Sequence, residues 1–104
     1  HCKQCMKTHG NFAAYTNCLE ENIIFMNKST LRWYNSSKFA KRGFCNKCGA
    51  SIFYKIKKGN SISISAGMFE NPTKLKTDSN IFTKGKLDYY KLDPNLRKFI
   101  RSEK

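Results

Sequence analysis

The residues best suited to chemistry in this sequence are its cysteines, four of which form two Cys-x-x-Cys pairs. Cys2 and Cys5 stand in HCKQC, and Cys45 and Cys48 stand in FCNKCG. Two thiolates separated by two residues can hold one zinc ion from a tight turn, and such pairs are common in tetrahedral zinc sites. The odd total of five cysteines favours metal ligation over a disulfide framework.

The second pair has the composition of a zinc knuckle that leads into a strand. Gly49, directly after the second cysteine, tolerates a positive φ, and Phe44 is placed to anchor the turn in apolar surroundings. A redox Cys-x-x-Cys usually opens a helix, and no helical pattern follows Cys48. The remaining cysteine, Cys18, has no partner at ligand spacing and is interpreted as a buried or half-buried structural thiol.

From the residues alone, the two pairs allow either one metal site or two. A single tetrahedral site made of all four cysteines would be structural, because it would cross-link distant segments of a small domain. The spacing between the pairs is longer than in compact zinc ribbons, so both arrangements stay open at this point.

The formal charge of +13 on 104 residues predicts a surface that attracts anions. The cations are mostly lysines and are spread along the chain without one dense block, so nucleic-acid binding is the less favoured hypothesis. No apolar run approaches the ~18 residues that span a bilayer, so we expect no membrane partner. The cysteine usage indicates a reducing, cytoplasmic location.

The elements that position these residues are predicted to be mostly strands of one domain over residues 1–104. Aromatic and β-branched segments predict strands in NFAAYTNC, ENIIFMN and LRWYNSS. Residues 52–56 and 61–66 are predicted to form a hairpin, since Ser alternates with apolar residues in its second strand. We predict a loop for residues 67–80 and an edge strand or covering segment after it. A short C-terminal helix is predicted to begin near Asp93, with Pro94 at its first position.

Three stretches, HCKQCMKTHG, KRGFCNKCGASIFY and SAGMFENP, resemble in order the family of glutathione-dependent formaldehyde-activating enzymes and centromere protein V. The resemblance extends over residues 1–92. In that family the first motif normally reads C-x-C-x-x-C, and a C-x-C pair lies some tens of residues earlier. We therefore expect this domain to be incomplete at its N-terminus. Met6 and Asn80 depart from the family pattern, where Arg or Gln and His are frequent.

The resemblance implies a mainly β fold, the β-tent, with small curled antiparallel sheets and zinc knuckles. It implies that Cys2 and Cys5, with a preceding cysteine, bind a catalytic zinc whose fourth position is open. Cys45 and Cys48 would be half of a closed structural zinc. The implied carbon–sulfur lyase reaction condenses formaldehyde with glutathione to S-hydroxymethylglutathione. A zinc held by three thiolates suits the binding of a substrate thiol better than hydrolysis.

Other side chains are candidates for contacts with the anionic thiol. Lys7 is predicted to contact the substrate, with a solvated surface lysine as the alternative, and Arg42 is a second candidate, with pairing to a buried carboxylate as its alternative. His9 is a less favoured candidate base. Trp33 and Tyr34 are expected to pack on a sheet face.

A non-catalytic zinc module that contacts an anionic partner such as nucleic acid is the alternative to the enzyme. This hypothesis is consistent with the +13 charge and with the centromere protein relatives. The sequence contains neither a G-x-S-x-G nucleophile motif nor a phosphate-binding glycine loop.

Overall fold

The computed structural model describes residues 1–101 and divides them into two compact units. The first unit, called the terminal unit, contains His1–Ala13 and the described residues from Asn71 onward. The second, called the sheet unit, contains Ala14–Glu70. The predicted mainly β, antiparallel character is confirmed.

The sheet unit is built on five antiparallel strands in the order β1-β5-β4-β3-β2. The strands are β1 (Tyr15–Leu19), β2 (Leu31–Asn35), β3 (Ala40–Cys45), β4 (Ser51–Ile56) and β5 (Ser61–Ser65). Alternation of burial follows the strand period of two, as Phe53 and Lys55 on β4 are both buried. Lys55 lies 3.4 Å from Glu20 and donates to the carbonyl of Gly59, so its buried ammonium group has polar partners.

The core of the sheet unit contains a stacked aromatic pair. The rings of Trp33 and Phe53 are nearly parallel, with centroids 5.7 Å apart, and Phe25 meets Phe53 edge-on. A Cβ atom on Gly43 would lie 3.1 Å from Phe53 and 3.2 Å from Trp33, so a glycine is needed where β3 passes under these rings. Trp33 thus packs on the sheet as predicted.

The terminal unit contains the helix α1 (Lys3–His9) and the two-residue parallel strands β6 (Ser79–Asn80) and β7 (Arg97–Lys98). Helix α1 is capped by the side chain of Cys2 and ends at Gly10, whose φ of 72° is the left-handed conformation typical of a helix end. A single 3₁₀ turn, Thr83–Gly85, follows β6.

The predicted C-terminal helix is wrong. Asp93 caps a turn instead, because its carboxylate accepts from the N–H of Asn95 at 2.9 Å and its carbonyl from Leu96 at 3.3 Å. The chain then continues as β7, and the N–H of Phe99 donates to the carbonyl of Asn80 at 2.9 Å. Pairing with β6 satisfies more backbone groups than one short helical turn would.

Two further predictions need correction. ENIIFMN contains no strand: Ile24 and Met26 are 85% and 96% exposed, so their apolar character reflects a surface segment. The segment 81–92 forms the 3₁₀ turn and irregular backbone instead of an edge strand. Strand β3 was not predicted, since AKRGFC places Lys41, Arg42 and Gly43 where the sequence pattern shows no alternation.

Candidate metal and substrate-binding sites

The second cysteine pair lies in a closed turn between β3 and β4, which we call the knuckle (residues 45–49). The N–H of Gly49 donates to the carbonyl of Cys45 at 2.7 Å, and the N–H of Cys45 donates to the carbonyl of Ala50 at 3.0 Å. Gly49 has a φ of +79°, which confirms the positive φ expected from the sequence. This backbone turns Cys45 and Cys48 toward the same end of the hairpin.

The surroundings of the Cys45 sulfur favour its thiolate form. The hydroxyl of Thr30 lies 3.5 Å from Cys45 Sγ, and the carbonyl of Thr30 accepts from the N–H of Asn46 at 2.8 Å. Donation from the Thr30 hydroxyl, followed by the backbone N–H groups of Cys48 and Lys47 and the Cys48 thiol, lowers the pKa of Cys45 to about 6. A thiolate is the form that ligates metals, so the knuckle fits a zinc ligand pair.

The first cysteine pair stands at the start of helix α1. Cys2 is the N-cap, and its Sγ accepts a hydrogen bond from the N–H of Cys5 at 3.4 Å. Cys2 is half-buried, whereas Cys5 and the following Met6 are buried. Two cysteines at this spacing on one helix start can supply two sulfurs to one ion, so this pair also has the chemistry of a zinc ligand pair.

The residue before Cys2 is fixed by a set of contacts that we call the His1 network. His1 is buried, and its Nδ1 and Nε2 lie 2.6 Å from the hydroxyl of Tyr90 and 2.8 Å from Oδ1 of Asn80. Its ring also stacks on Tyr90 with centroids 5.5 Å apart. Because Oδ1 of Asn80 can only accept, Nε2–H donates to it, and together with the Tyr90 contact this sets the orientation of the ring.

Burial raises the pKa of Tyr90, and the neighbouring Tyr89 raises it further. The hydroxyl therefore keeps its proton at neutral pH. It also lies 3.5 Å from the sulfur of Met6, one residue beyond Cys5. The tyrosine thus contacts both the residue before Cys2 and the residue after Cys5.

Cys2 lines a cavity of about 300 Å³, which we call the cationic cavity. Its other lining residues are Lys3, Phe82, Lys84, Gly85, Ile100 and Arg101. Every charged side chain in this lining is a cation. Gly85 allows close approach of the cavity wall to the cysteine segment, because a Cβ there would lie 3.2 Å from the carbonyl oxygen of His1.

The wall opposite Cys2 is made of two segments joined by backbone hydrogen bonds. The N–H of Phe82 donates to the carbonyl of Arg101 at 2.7 Å, and the N–H of Lys84 donates to that of Ile100 at 3.3 Å. Phe82 has a φ of 53°, a left-handed conformation that a bulky residue adopts only where the surrounding structure imposes it. These bonds place Lys84 and Arg101 at the same cavity.

Comparison with known proteins decides the family. The sequence model of the glutathione-dependent formaldehyde-activating enzyme family matches residues 1–85. The chain belongs to this family. It is also similar to an uncharacterized lyase of Schizosaccharomyces pombe, with 28% identity over 92 residues. The match covers 86% of this chain and 66% of the yeast protein, so the chain spans just under two thirds of that relative.

The described residues show how many sulfur ligands each cysteine pair can offer to a metal ion. In residues 1–101, no three or more His, Cys, Asp or Glu side chains are grouped so as to hold a metal ion. Each cysteine pair therefore offers two ligands. In the same part of the chain, no helix has the length and apolar character needed to cross a membrane.

Lys7 and Arg42, the predicted substrate contacts, are not among the residues that line the cationic cavity, and their contact with substrate stays a prediction. Lys7 is exposed on α1 and is not among the cavity-lining residues. Arg42 is buried on β3, donates to the hydroxyl of Tyr15 at 3.4 Å and lies over the ring of Tyr54 at 5.0 Å. His9 is half-buried and is the last residue of α1.

Sequence reasoning missed the three cations that do line the cavity, Lys3, Lys84 and Arg101. Lys3 follows Cys2 directly in the sequence, and this adjacency could have predicted a cation beside the first cysteine pair. Backbone hydrogen bonds between residues 82–84 and 99–101 bring Lys84 and Arg101 together, and no local sequence motif predicts this.

Proposed function

We propose that this protein is a zinc-dependent carbon–sulfur lyase-type enzyme. It condenses formaldehyde, or a related small electrophile, with glutathione or a similar thiol, and the product with glutathione is S-hydroxymethylglutathione. The observation that supports this best is that Cys2, a candidate zinc ligand, lines a cavity whose charged residues are Lys3, Lys84 and Arg101. Family membership supports the reaction class, and glutathione carries the negative charge that such a cavity attracts.

Zinc fits the residues present. Cys2 and Cys5 would hold the catalytic ion, together with the preceding cysteine that the family pattern implies. Cys45 and Cys48 would contribute two of the four sulfurs of the structural ion, and the lowered pKa of Cys45, about 6, supports that role. When bound at Cys2 and Cys5, zinc supplies an electrophilic centre that favours the thiolate form of an incoming thiol.

The condensation itself needs no further reactant. The sulfur of the thiol forms a bond with the carbonyl carbon of formaldehyde, the S–H proton leaves the sulfur, and the carbonyl oxygen gains one proton to become a hydroxyl. In the reverse direction, the carbon–sulfur bond breaks and the same proton is returned.

The chain's own residues contribute position and charge to this reaction. The three cations of the cavity attract and orient the carboxylates of the thiol. The His1 network fixes the backbone that carries Cys2, and Phe82 and Ile100 add apolar surface to the cavity lining. Holding both reactants in one orientation converts a bimolecular reaction into an effectively unimolecular one.

The test is the rate of S-hydroxymethylglutathione formation, followed by NMR exchange between formaldehyde and its adduct with glutathione. The zinc-loaded native protein should accelerate exchange well above the uncatalysed rate, and the variant Cys5→Ser should not. Cys18→Ser is the matched control, because Cys18 is a half-buried thiol of β1 outside both pairs. An uncatalysed rate with the fully zinc-loaded protein would contradict the proposal.

A non-catalytic zinc module that binds nucleic acid is the second candidate, and the +13 charge favours it. This function requires an affinity for nucleic acid that falls steeply as salt is added, because counterions are released on binding. Such binding, together with no acceleration of the condensation, would replace the enzyme proposal with this one.

A further inference from the structure

We infer that one face of the sheet unit is a binding surface for single-stranded nucleic acid. The surface, called the aromatic–lysine face, consists of Phe25, Lys28, Trp33, Phe39, Lys41 and Lys57. This function goes beyond the condensation, because it uses no residue of either cysteine pair or of the cationic cavity. It also differs from a zinc module that binds nucleic acid in place of catalysis, since the two functions can coexist in one chain.

The strand register places Trp33 and Lys41 on one face of the sheet. Trp33 on β2 pairs with Gly43 on β3, and Gly43 pairs with Phe53 on β4, so these three residues share a face. Lys41 stands two residues before Gly43 on β3 and therefore shares that face as well. In agreement with this placement, the Nζ of Lys41 lies 4.5 Å from the centroid of the Trp33 ring.

The same face continues past the end of β3. The N–H of Lys57 donates to the carbonyl of Phe39 at 2.9 Å, so the pairing of β3 with β4 extends by one residue pair. Phe39 stands two residues before Lys41, and the strand period of two puts both on the same side. Phe39 is 72% exposed and Lys57 is exposed, so a ligand can reach the ring and the ammonium group together.

The other end of the face has the same composition. The ring of Phe25 meets that of Phe53 edge-on, with centroids 5.9 Å apart, and Phe25 is 42% exposed. The Nζ of Lys28 lies 5.5 Å from the centroid of the Phe25 ring. The rings of Phe25, Trp33 and Phe39 thus each have a lysine beside them.

The charge of the sheet unit favours an anionic partner. The unit contains nine lysines and arginines and only three glutamates. Its ion pair in the described part of the chain joins Lys55 to Glu20. No described carboxylate therefore pairs with Lys28, Lys41 or Lys57. These lysines are far apart in the sequence, and the sheet gathers them on one face, which the spread of charge along the chain did not predict.

Single-stranded nucleic acid is the partner that this alternation of rings and cations fits best. Its bases are flat rings that stack on aromatic side chains, and its phosphates are attracted by lysines beside those rings. A duplex keeps its bases stacked inside and offers only phosphates and groove edges, so the face should prefer a single strand. An anionic bilayer attracts lysines too, but it gives no reason for a lysine beside each ring.

The contribution of the rings is tested with a short single-stranded DNA of mixed sequence, labelled with fluorescein and followed by anisotropy. We expect Phe39→Ala to weaken binding about tenfold, which is the loss of one base stack, and Phe39→Trp to retain it. Phe69→Ala is the matched control, because Phe69 is a 42% exposed aromatic residue of the same unit that does not belong to the face. Equal affinities of Phe39→Ala and Phe69→Ala would overturn the inference.

The contribution of the lysines is tested by the salt dependence of the same binding. On single strands, the logarithm of the affinity falls against the logarithm of the salt concentration with a slope of about −0.7 for each phosphate neutralised. Lys41→Gln and Lys57→Gln should each make this slope shallower by about 0.7, whereas Phe39→Ala should leave it unchanged. Lys91→Gln, at an exposed lysine of the terminal unit, should keep the native slope. A native slope in both Lys41→Gln and Lys57→Gln would contradict the assignment.

Tryptophan fluorescence locates the bound strand. Trp33 is the single tryptophan of the sequence, so its emission reports on this face. We expect the single strand to quench Trp33, and the duplex that it forms with its complement to bind more weakly. Equal affinity for both forms without quenching would overturn the inference. Binding to vesicles of phosphatidylserine and phosphatidylcholine with no binding to DNA would also overturn it, and would assign the face to a membrane surface.

The condensation rate separates this function from the proposed reaction. Phe39→Ala should form S-hydroxymethylglutathione at the native rate, because Phe39 lines neither the cationic cavity nor a cysteine pair. DNA binding with the expected variant effects supports the face even where condensation is not accelerated. Condensation at the native rate with no DNA binding would support the reaction and remove the face.

Discussion

The two Cys-x-x-Cys pairs share a spacing but lie in different local structures. The knuckle pair, Cys45 and Cys48, stands in a tight turn between two strands, where backbone N–H groups and a threonine hydroxyl point at sulfur. The pair Cys2 and Cys5 caps and opens a helix, with Cys5 buried and Cys2 on a cavity wall. Identical spacing thus occurs in two kinds of local structure, and the flanking backbone decides which.

This difference supports the two roles proposed for the pairs, a structural role for Cys45 and Cys48 and a catalytic role for Cys2 and Cys5. The knuckle pair is held in the turn that joins β3 to β4, where the N–H of Gly49 donates to the carbonyl of Cys45, and such a tight turn suits a structural metal. Cys2 borders a volume that an incoming thiol can enter, and the residues around it carry positive charge. A site open to substrate and charged to attract it suits catalysis.

The largest expected effect comes from breaking one pair at a time. Cys45→Ser should lower the melting temperature by more than about 10 °C, because a closed structural zinc site contributes folding free energy directly. Cys5→Ser should lose turnover by at least about a hundredfold and melt close to the wild type. Thermal denaturation and the NMR exchange rate measure the two effects. Equal melting losses in both variants would contradict the division of roles.

The next effect tests the close approach of the cavity wall to the cysteine segment. In Gly85→Ala the added Cβ would lie 3.2 Å from the carbonyl oxygen of His1, and backbone cannot give way as a flexible side chain can. We expect a loss of about 1–3 kcal/mol in the free energy of unfolding and reduced turnover. Gly67→Ala is the control, since nothing lies within 4 Å of its added Cβ. Unfolding in urea is the measurement, and equal losses would show that the wall is not tightly packed.

A smaller effect is expected from the His1 network. Tyr90→Phe removes the hydroxyl that lies 2.6 Å from Nδ1 of His1 and leaves that nitrogen of a buried residue without its hydrogen-bond partner. We expect a loss of about 1 kcal/mol in stability and a lower kcat, because the residue beside Cys2 is held less firmly. Tyr34→Phe is the control on the exposed face of β2, where the ring meets Phe44 edge-on. An unchanged kcat would show that the network does not position Cys2.

The smallest effect is a shift in the pH dependence of one thiol. With metal removed by chelation, Cys45 should react with iodoacetamide at a rate that rises with pH through a midpoint near pH 6, since hydrogen-bond donors favour the thiolate. Thr30→Val removes the largest contribution and should move the midpoint upward. Mass spectrometry of alkylated peptides follows Cys45, with Cys18 as the internal reference. A midpoint that Thr30→Val leaves in place would contradict the cause assigned to the low pKa.

Some of this fold could be predicted from sequence because the signals were local. Alternation in SISIS predicts a strand with one buried face, and Ile62 is indeed buried. Gly49 after a Cys-x-x-Cys predicts the positive φ that the knuckle adopts.

The features that were missed depend on contacts between distant segments. Asp93 and Pro94 are residue types typical of a helix start. The backbone that follows them instead pairs as β7 with β6, and this pairing between distant segments overrides the local preference. The cationic cavity depends on hydrogen bonds between residues 82–84 and 99–101, which no local pattern encodes. Lys7 was predicted from its place near Cys5; it does not line this cavity, and its contact with substrate stays a prediction.

The central claim is that the two pairs hold separate ions with separate roles. The most direct measurement is zinc content per chain, by mass spectrometry of the elements, in the native protein and in Cys5→Ser and Cys45→Ser. We expect two zinc ions per native chain, and in Cys5→Ser the loss of one ion with the other retained. One ion per native chain, removed by either substitution, would contradict the claim.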